Sequence, residues 1–308
     1  MNIYRKIVPE KIRIKYGFGS YIILFQIKVF YKKVRDDDLL PIIDYIKRKR
    51  GFDIFNYSFC ENYKDMPVVV RYDNAQNMNY VENEYENGER GRIYFKKEYD
   101  KQMVERAWRN LCMEQDKLSP HCYLDGFNLI KEDYKDRIVF DCGVAEGNFS
   151  LDIVEDVEEL YLFEGDLEWV SALKETFRKW ESKVHIIPYF ISNTNGEGYI
   201  TLDEFVKDWP EERLKKISLI KMDIEGYECR ALEGAEFLRS NSLNIQWVIC
   251  AYHNYGDEKQ IRQFFCSDKY KITTSKGYMC CIERGKKGEL DGEYFMRRGL
   301  LFIKKSYI

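Results

Sequence analysis

Residues 139–150, VFDCGVAEGNFS, decide how this 308-residue chain is read. An apolar run ends in Asp141, Gly143 and Gly147 follow, and FSLDIV then has the pattern of a helix start. Glycine adopts left-handed backbone angles and leaves room where a β-carbon would obstruct a close approach. In open α/β sheets, ligands bind beyond the carboxyl ends of the strands, where the strand order reverses. The spacing is D-x-G-x-x-x-G with Ala145 between the glycines, not the G-x-G-x-x-G that admits a dinucleotide pyrophosphate. A nucleoside cofactor without pyrophosphate is expected. Glu146 and Asn148 lie in the same turn and join Asp141, Gly143, Ala145 and Gly147 as candidate cofactor contacts.

Outward from this turn, the second half of the chain alternates short apolar runs with amphipathic ones. RIVFDC, ELYLFEGD, VHIIPYFIS, ISLIKMD, IQWVICAYH, YKITTS and GLLFIKK read as strands. LEWVSALKETFRKW spaces Val170, Leu173, Phe177 and Trp180 along one helical face. This alternation implies βαβ units and a doubly wound, mostly parallel α/β sheet. The first part differs. Residues 1–50 read as helical and irregular, MPVVVRY and RIYFKK as β-prone runs, and NAQNMNYVENEYENGERG as a polar loop. EYDKQMVERAWRNLC then reads as a helix leading into the main domain. The expected division is an N-terminal α+β extension over 1–110 and a catalytic domain over 111–308.

Further candidate residues sit at the other strand ends. Glu164 ends ELYLFEGD 21 residues after Gly143, an offset at which a carboxylate accepts hydrogen bonds from ribose hydroxyls. Ser192 ends VHIIPYFIS and is a candidate cofactor contact. Asp223 and Glu225 follow ISLIKM, where carboxylates can orient a cofactor or take a proton; Glu225 and Glu228 would equally serve as helix N-terminal caps. Thr201 with Glu204 makes a capping box. His253 follows IQWVICAY at the same expected edge and titrates near neutrality. Asp223, Glu225 and His253 are therefore the candidate catalytic residues, and His121 in SPHCY is read as a packing residue.

Composition bounds the alternatives. With 45% hydrophobic, 33% charged and 16% aromatic residues, the chain has enough apolar side chains to offset ordering entropy. A net charge of -3 and a pI near 5.9 give no global attraction to polyanions, so no nucleic-acid partner is expected. The basic run Lys47–Arg50 reads as a solvated helix end. Nine cysteines show no CxxC and no zinc-type spacing with His121, His185 and His253. Reduced thiols, a cytoplasmic location and no bound metal are expected. YIILFQIKVF, the best apolar stretch, is broken by Gln26 and Lys28 and is far short of the roughly 20 residues of a membrane span. The N-terminus has no apolar core of a signal peptide.

The order of the three strand-end elements resembles the FkbM family of methyltransferases. IKMDIEGYECRALEGA, residues 220–235, fits that family's I-K-x-D-x-E-G-x-E-x-x-x-L-x-G-A. TLDEF and FEGD are also similar to family features, although Gly165 stands where a proline is usual. The resemblance spans residues 137–303, and EQDKLSPHCYL at 114–124 is similar to a lead-in of a bacterial subset. It implies a seven-stranded class I methyltransferase sheet, S-adenosylmethionine as cofactor, and transfer of its methyl group to an oxygen of a small-molecule or glycan acceptor, such as a sugar in bacterial polysaccharide synthesis. Two other readings compete: a Rossmann-type nucleotide-binding oxidoreductase, and a non-catalytic interaction protein that keeps the fold. The missing G-x-G-x-x-G weighs against the first, and the retained Asp141, Gly143, Gly147, Glu164 and Asp223 weigh against the second.

Overall fold

The seven apolar runs of the second half become the seven strands of one sheet. The computed structural model describes residues 18–49, 52–84, 90–240, 243–266, 268–281 and 295–306. The chain opens with α1 (Phe18–Val34), α2 (Leu40–Lys49) and α3 (Glu61–Lys64). An antiparallel meander of β1 (Val70–Asp73), β2 (Met78–Glu84) and β3 (Arg90–Tyr94) follows, then α4 (Lys101–Glu114). β2 corrects the reading of 74–91 as a loop. Met78, Tyr80 and Val81 are buried there, so a segment polar by composition still has an apolar face to pair and pack.

The main sheet begins with β4 (Ile138–Cys142), α5 (Asn148–Ile153), β5 (Glu159–Phe163), α6 (Leu167–Thr176) and β6 (Val184–Ile187). VHIIPYFIS is not one strand. Pro188 has no N–H to extend the ladder, and β7 (Phe190–Ile191) pairs instead with β8 (Tyr199–Ile200). After α7 (Leu202–Val206) and α8 (Glu211–Leu214), the chain crosses to β9 (Ile217–Met222), α9 (Glu228–Glu233), α10 (Glu236–Ser240) and β10 (Gln246–Cys250). It ends with α11 (Asp257–Phe264), β11 (Tyr270–Thr274), a ladder of β12 (Met279–Cys280) with β13 (Met296–Arg297), and β14 (Leu300–Lys305).

The order is β11-β14-β10-β9-β4-β5-β6, with β14 antiparallel to both neighbours and the other pairs parallel. Alternation along β4 sends Ile138, Phe140 and Cys142 to one face, against Leu202, Val206, Leu232 and Leu238. Val139 goes to the other, with Phe149, Leu160, Trp169 and Phe177. Both faces are buried, as a doubly wound sheet requires. Ile93, Tyr94 and Phe95 of the meander join the second cluster. α1 and α2 form a third with Tyr278, Met279, Phe295 and Met296. Among the described residues, no helix is long and apolar enough to cross a membrane.

The strand order reverses between β4 and β9, where Cys142 and Met222 are register partners. The Asp223 amide donates to Cys142 O at 3.0 Å. Gly143 and Asp223 therefore leave the sheet side by side.

Candidate active site

The turn after β4 is shaped by the protein itself. Gly143 has φ +79°, and a β-carbon there would lie 1.8 Å from the Asp223 carbonyl oxygen. Gly147 has φ +84°, and its β-carbon would meet the Phe177 ring at 2.8 Å. Both glycines are required by neighbouring strand and helix, whatever room they also leave for a ligand. Asp141 is likewise not turned to the cleft. It is 1% exposed, pairs with Lys221 Nζ at 2.9 Å and accepts from Ser150 Oγ at 2.7 Å. Lys221 in turn donates to Gly143 O at 2.6 Å. Burial disfavours the Lys221 ammonium, but Asp141 and Asp223 outweigh it and raise its pKa. Asp141 thus braces the turn from beneath.

Between the glycines, Ala145 sits at φ +47°. Its amide donates to Glu164 Oε2 at 3.0 Å, while Glu164 Oε1 accepts from the Asp166 amide at 2.9 Å. Glu164 therefore ties the ends of β4 and β5 together. The departure at Gly165 has a local cause: a β-carbon there would fall 2.3 Å from the Phe190 ring, which occupies the space a proline would need. Asn148 opens α5 behind Gly147. Ser192 is held elsewhere. Its amide donates to Ile200 O at 3.0 Å, its hydroxyl contacts Asn193 at 3.4 Å, and its carbonyl lies against Gly234.

Negative charge around this turn is under-compensated. Burial, then the charges of Glu114 and Glu164, push the Glu146 carboxyl up to about 7 despite Lys96. Burial, with Asp223 and Glu225, also raises Glu114. A carboxyl in this state is stabilised by an incoming cation. S-adenosylmethionine carries a sulfonium and an ammonium, and the residues present suit it: Glu146 and Glu114 as counter-charges, Glu164 as the acidic group at the second strand end.

The second constellation forms after β9 and β10. Asp223 Oδ2 accepts from Tyr123 Oη and lies 3.5 Å from His121 Nε2; its Oδ1 lies 3.4 Å from His253 Nε2. Burial works against the Asp223 carboxylate, but His121, Lys221 and His253 hold its pKa well below the usual range. His253 Nδ1 lies 2.9 Å from Glu228 Oε1. Glu228 is 0% exposed and also accepts from the Ile224 amide at 2.9 Å. Burial disfavours the imidazolium, yet Glu228, Asp223 and Glu225 raise the His253 pKa to about 9. Arg297 fixes the backbone here by donating to Tyr252 O and His253 O at 2.6 and 2.9 Å. Glu225 stands at φ +55° with its side chain 90% exposed, 3.8 Å from His253 Nε2.

Asp223, His253 and Glu225 are thus brought together as expected. The cap expected of Glu228 is not formed: the N-cap position is Tyr227, without a side-chain cap bond, and Glu228 instead accepts from the upstream Ile224 amide and holds the histidine. His121 is not merely packing, since its Nε2 faces Asp223 and the Tyr252 hydroxyl at 3.2 Å. Tyr123 had no local signal at all, because 100 residues separate it from its partner Asp223.

This strand order, with its antiparallel strand between β10 and β11 and its glycine turn at the reversal, is the doubly wound seven-stranded sheet that the sequence resemblance implies. Residues 130–272 match the family model of the methyltransferase FkbM domain. That stretch, a little under half of the chain, is similar to FkbM methyltransferase domains, whose methyl donor is S-adenosylmethionine. Solved structures with a similar fold include a SAM-dependent O-methyltransferase from Thermotoga maritima, at 10% identity, 60% of this chain and 64% of that one, with a TM-score of 0.37. A precorrin-6y C5,15-methyltransferase from Geobacter metallireducens shares 12% identity over 69% of this chain and 93% of its own, with a TM-score of 0.36. An rRNA methylase from Streptococcus thermophilus shares 16% over 57% and 92%, with a TM-score of 0.34. No curated protein matches the chain.

Proposed function

We propose that the protein transfers a methyl group from S-adenosylmethionine to a hydroxyl of a small molecule or glycan, with His253 as the base. The observation that carries this reading is the Glu228–His253–Asp223 array at the ends of β9 and β10, one strand from the glycine turn. When bound, S-adenosylmethionine supplies a methyl carbon on a sulfonium, open to in-line displacement. The chain must align the acceptor oxygen with it, an effect of about 7–11 kcal/mol in well-oriented systems. It must also take the hydroxyl proton.

Glu228 accepts from Nδ1–H and so leaves Nε2 as the proton-accepting atom. His253 Nε2 accepts the proton of the acceptor hydroxyl, while S-adenosylmethionine would supply the methyl carbon, its carbon–sulfur bond breaking so that the thioether S-adenosylhomocysteine leaves with the bonding pair. Asp223, ionised because of its cationic neighbours, stabilises the resulting imidazolium. Asp223 itself is a weak base for the same reason, which favours His253 for the proton. Within this proposal, Glu164 and the turn at 143–148 hold the cofactor, Ser192 belongs to its periphery, and residues 1–110 form an extension on the acceptor side. A net charge of -3 supports an acceptor other than nucleic acid, and the cysteine pattern supports a cytoplasmic site of action.

The test is a methyl-transfer assay with labelled S-adenosylmethionine and a panel of sugars and sugar nucleotides. His253→Ala should lower kcat by about 10²- to 10⁴-fold with cofactor affinity close to wild type. The wild-type rate should climb with pH until about 9, where the imidazole becomes neutral. An unchanged kcat in His253→Ala would remove the base assignment.

A further inference from the structure

A cavity of about 520 Å³ lies between α2, the 52–60 segment, α3 and one side of α4. That volume is within the range of small-ligand sites, about 300–1,000 Å³. Four cations converge on it, Lys49, Lys64, Arg106 and Arg109, beside the rings of Tyr45 and Phe52. In a chain of net charge -3 such a concentration stands against the overall field.

The cations are positioned rather than consumed. Lys49 and Lys64 each reach Glu61 at 2.8 Å, one carboxylate serving two ammonium groups. Arg109 donates Nε to Met66 O at 2.8 Å, and its terminal nitrogens have only Glu105 at 4.0 Å. Arg106 has no hydrogen-bond or ion-pair partner among the described residues. Counting Asp53, Glu61 and Glu105 against the four cations leaves an excess of one positive charge, with most of the guanidinium donors unspent.

Guanidinium forks match the several oxygens of a phosphoryl group bidentately, and a single carboxylate would engage few of these donors. The neighbouring rings offer faces for a sugar or base. We infer that this cavity binds the phosphoryl groups of a diphosphate-bearing ligand, such as a nucleoside diphosphate or a sugar nucleotide. Its position gives the site a link to catalysis. Met113 lines the cavity, and the next residue, Glu114, is half-buried within electrostatic reach of His121, Asp223 and Glu225. The last turn of α4 thus separates the two sites. The inference stands without the methyl-transfer reading, since it concerns other residues.

Calorimetric titration with pyrophosphate, UDP and UDP-glucose tests it, alongside a short single-stranded RNA and S-adenosylmethionine. Wild-type protein should bind pyrophosphate and UDP, more weakly as salt rises, and a gain for UDP-glucose over UDP would identify the sugar nucleotide as the source of the diphosphate. Arg106→Glu changes an exposed, unpartnered side chain. It should weaken diphosphate binding at least tenfold while leaving the unfolding midpoint and the S-adenosylmethionine affinity unchanged. Absence of diphosphate binding, equal affinity in Arg106→Glu, or binding of the RNA alone would overturn the assignment.

Discussion

Two left-handed turns stand side by side at the reversal of the sheet, and they handle charge in opposite ways. After β4, Gly143, Ala145 and Gly147 curl beside carboxyls only partly matched by cations, and Glu146 is pushed up to about 7 despite Lys96. After β9, Glu225 and Gly226 turn beside carboxylates that are matched: Asp223 by His121, Lys221 and His253, Glu228 by His253. The first turn is disposed to receive positive charge, and the second holds a proton on an imidazole. Under the proposed function, a methyl donor with a positive sulfur and an acceptor that loses a proton would use these two environments side by side.

The largest expected effect breaks the contact between the two turns. Gly143→Val forces a side chain into the Asp223 carbonyl and a β-branched residue into φ +79°. Overpacking and backbone strain together should cost about 3–5 kcal/mol. Chemical denaturation measures it, and near-wild-type stability would show that the strand ends are not packed as described.

Next comes Glu164. Its loss removes the acceptor for the Ala145 and Asp166 amides and, under the proposed function, a cofactor contact, so Glu164→Ala should weaken S-adenosylmethionine by about 1.5–3 kcal/mol and also lower stability by about 1–3 kcal/mol. A well-folded Glu164→Ala variant with unaltered cofactor affinity, read by calorimetry, would separate the residue from the cofactor.

Stability against pH sharpens the comparison. The Glu146 carboxyl has a folded pKa of about 7 against an ordinary 4.5, so the folded state holds the proton longer and stability falls as pH rises from 4.5 to 7. His253 has a folded pKa of about 9 against 6.5, so its contribution is complete below 6.5 and is lost as pH rises through 9. Each step should amount to roughly 1–3 kcal/mol. Glu146→Gln should flatten only the lower step and His253→Gln only the upper one, in unfolding curves recorded from pH 4.5 to 9.5. A single variant that flattened both would mean that the two turns titrate as one unit.

How far the sequence could be read follows from the range of the forces involved. All seven strands of the main sheet were legible because alternation and apolar runs are local, and the FkbM resemblance lay in one unbroken segment around Asp223. Pro188 cut one of those runs at a point the residue itself announces. β2 was missed because its few apolar residues, Met78, Tyr80 and Val81, sit among asparagines and glutamates, and only the meander gives them a face to bury. The placement of His253 beside Asp223 was legible from its strand end. His121 and Tyr123 were not, because a contact across 100 residues leaves no periodic trace. The role of Asp141 was misplaced for a related reason: its partner Lys221 belongs to the neighbouring strand.

The most direct test of the central claim is calorimetric titration of S-adenosylmethionine at pH 7 in two buffers of different ionisation enthalpy. A cation entering beside a carboxyl with pKa about 7 should displace its proton, so one-to-one binding should release about half a proton in the wild type. That release should disappear in Glu146→Gln, with binding itself retained. Saturable binding with the same proton count in both proteins, or no binding at all, would contradict the account.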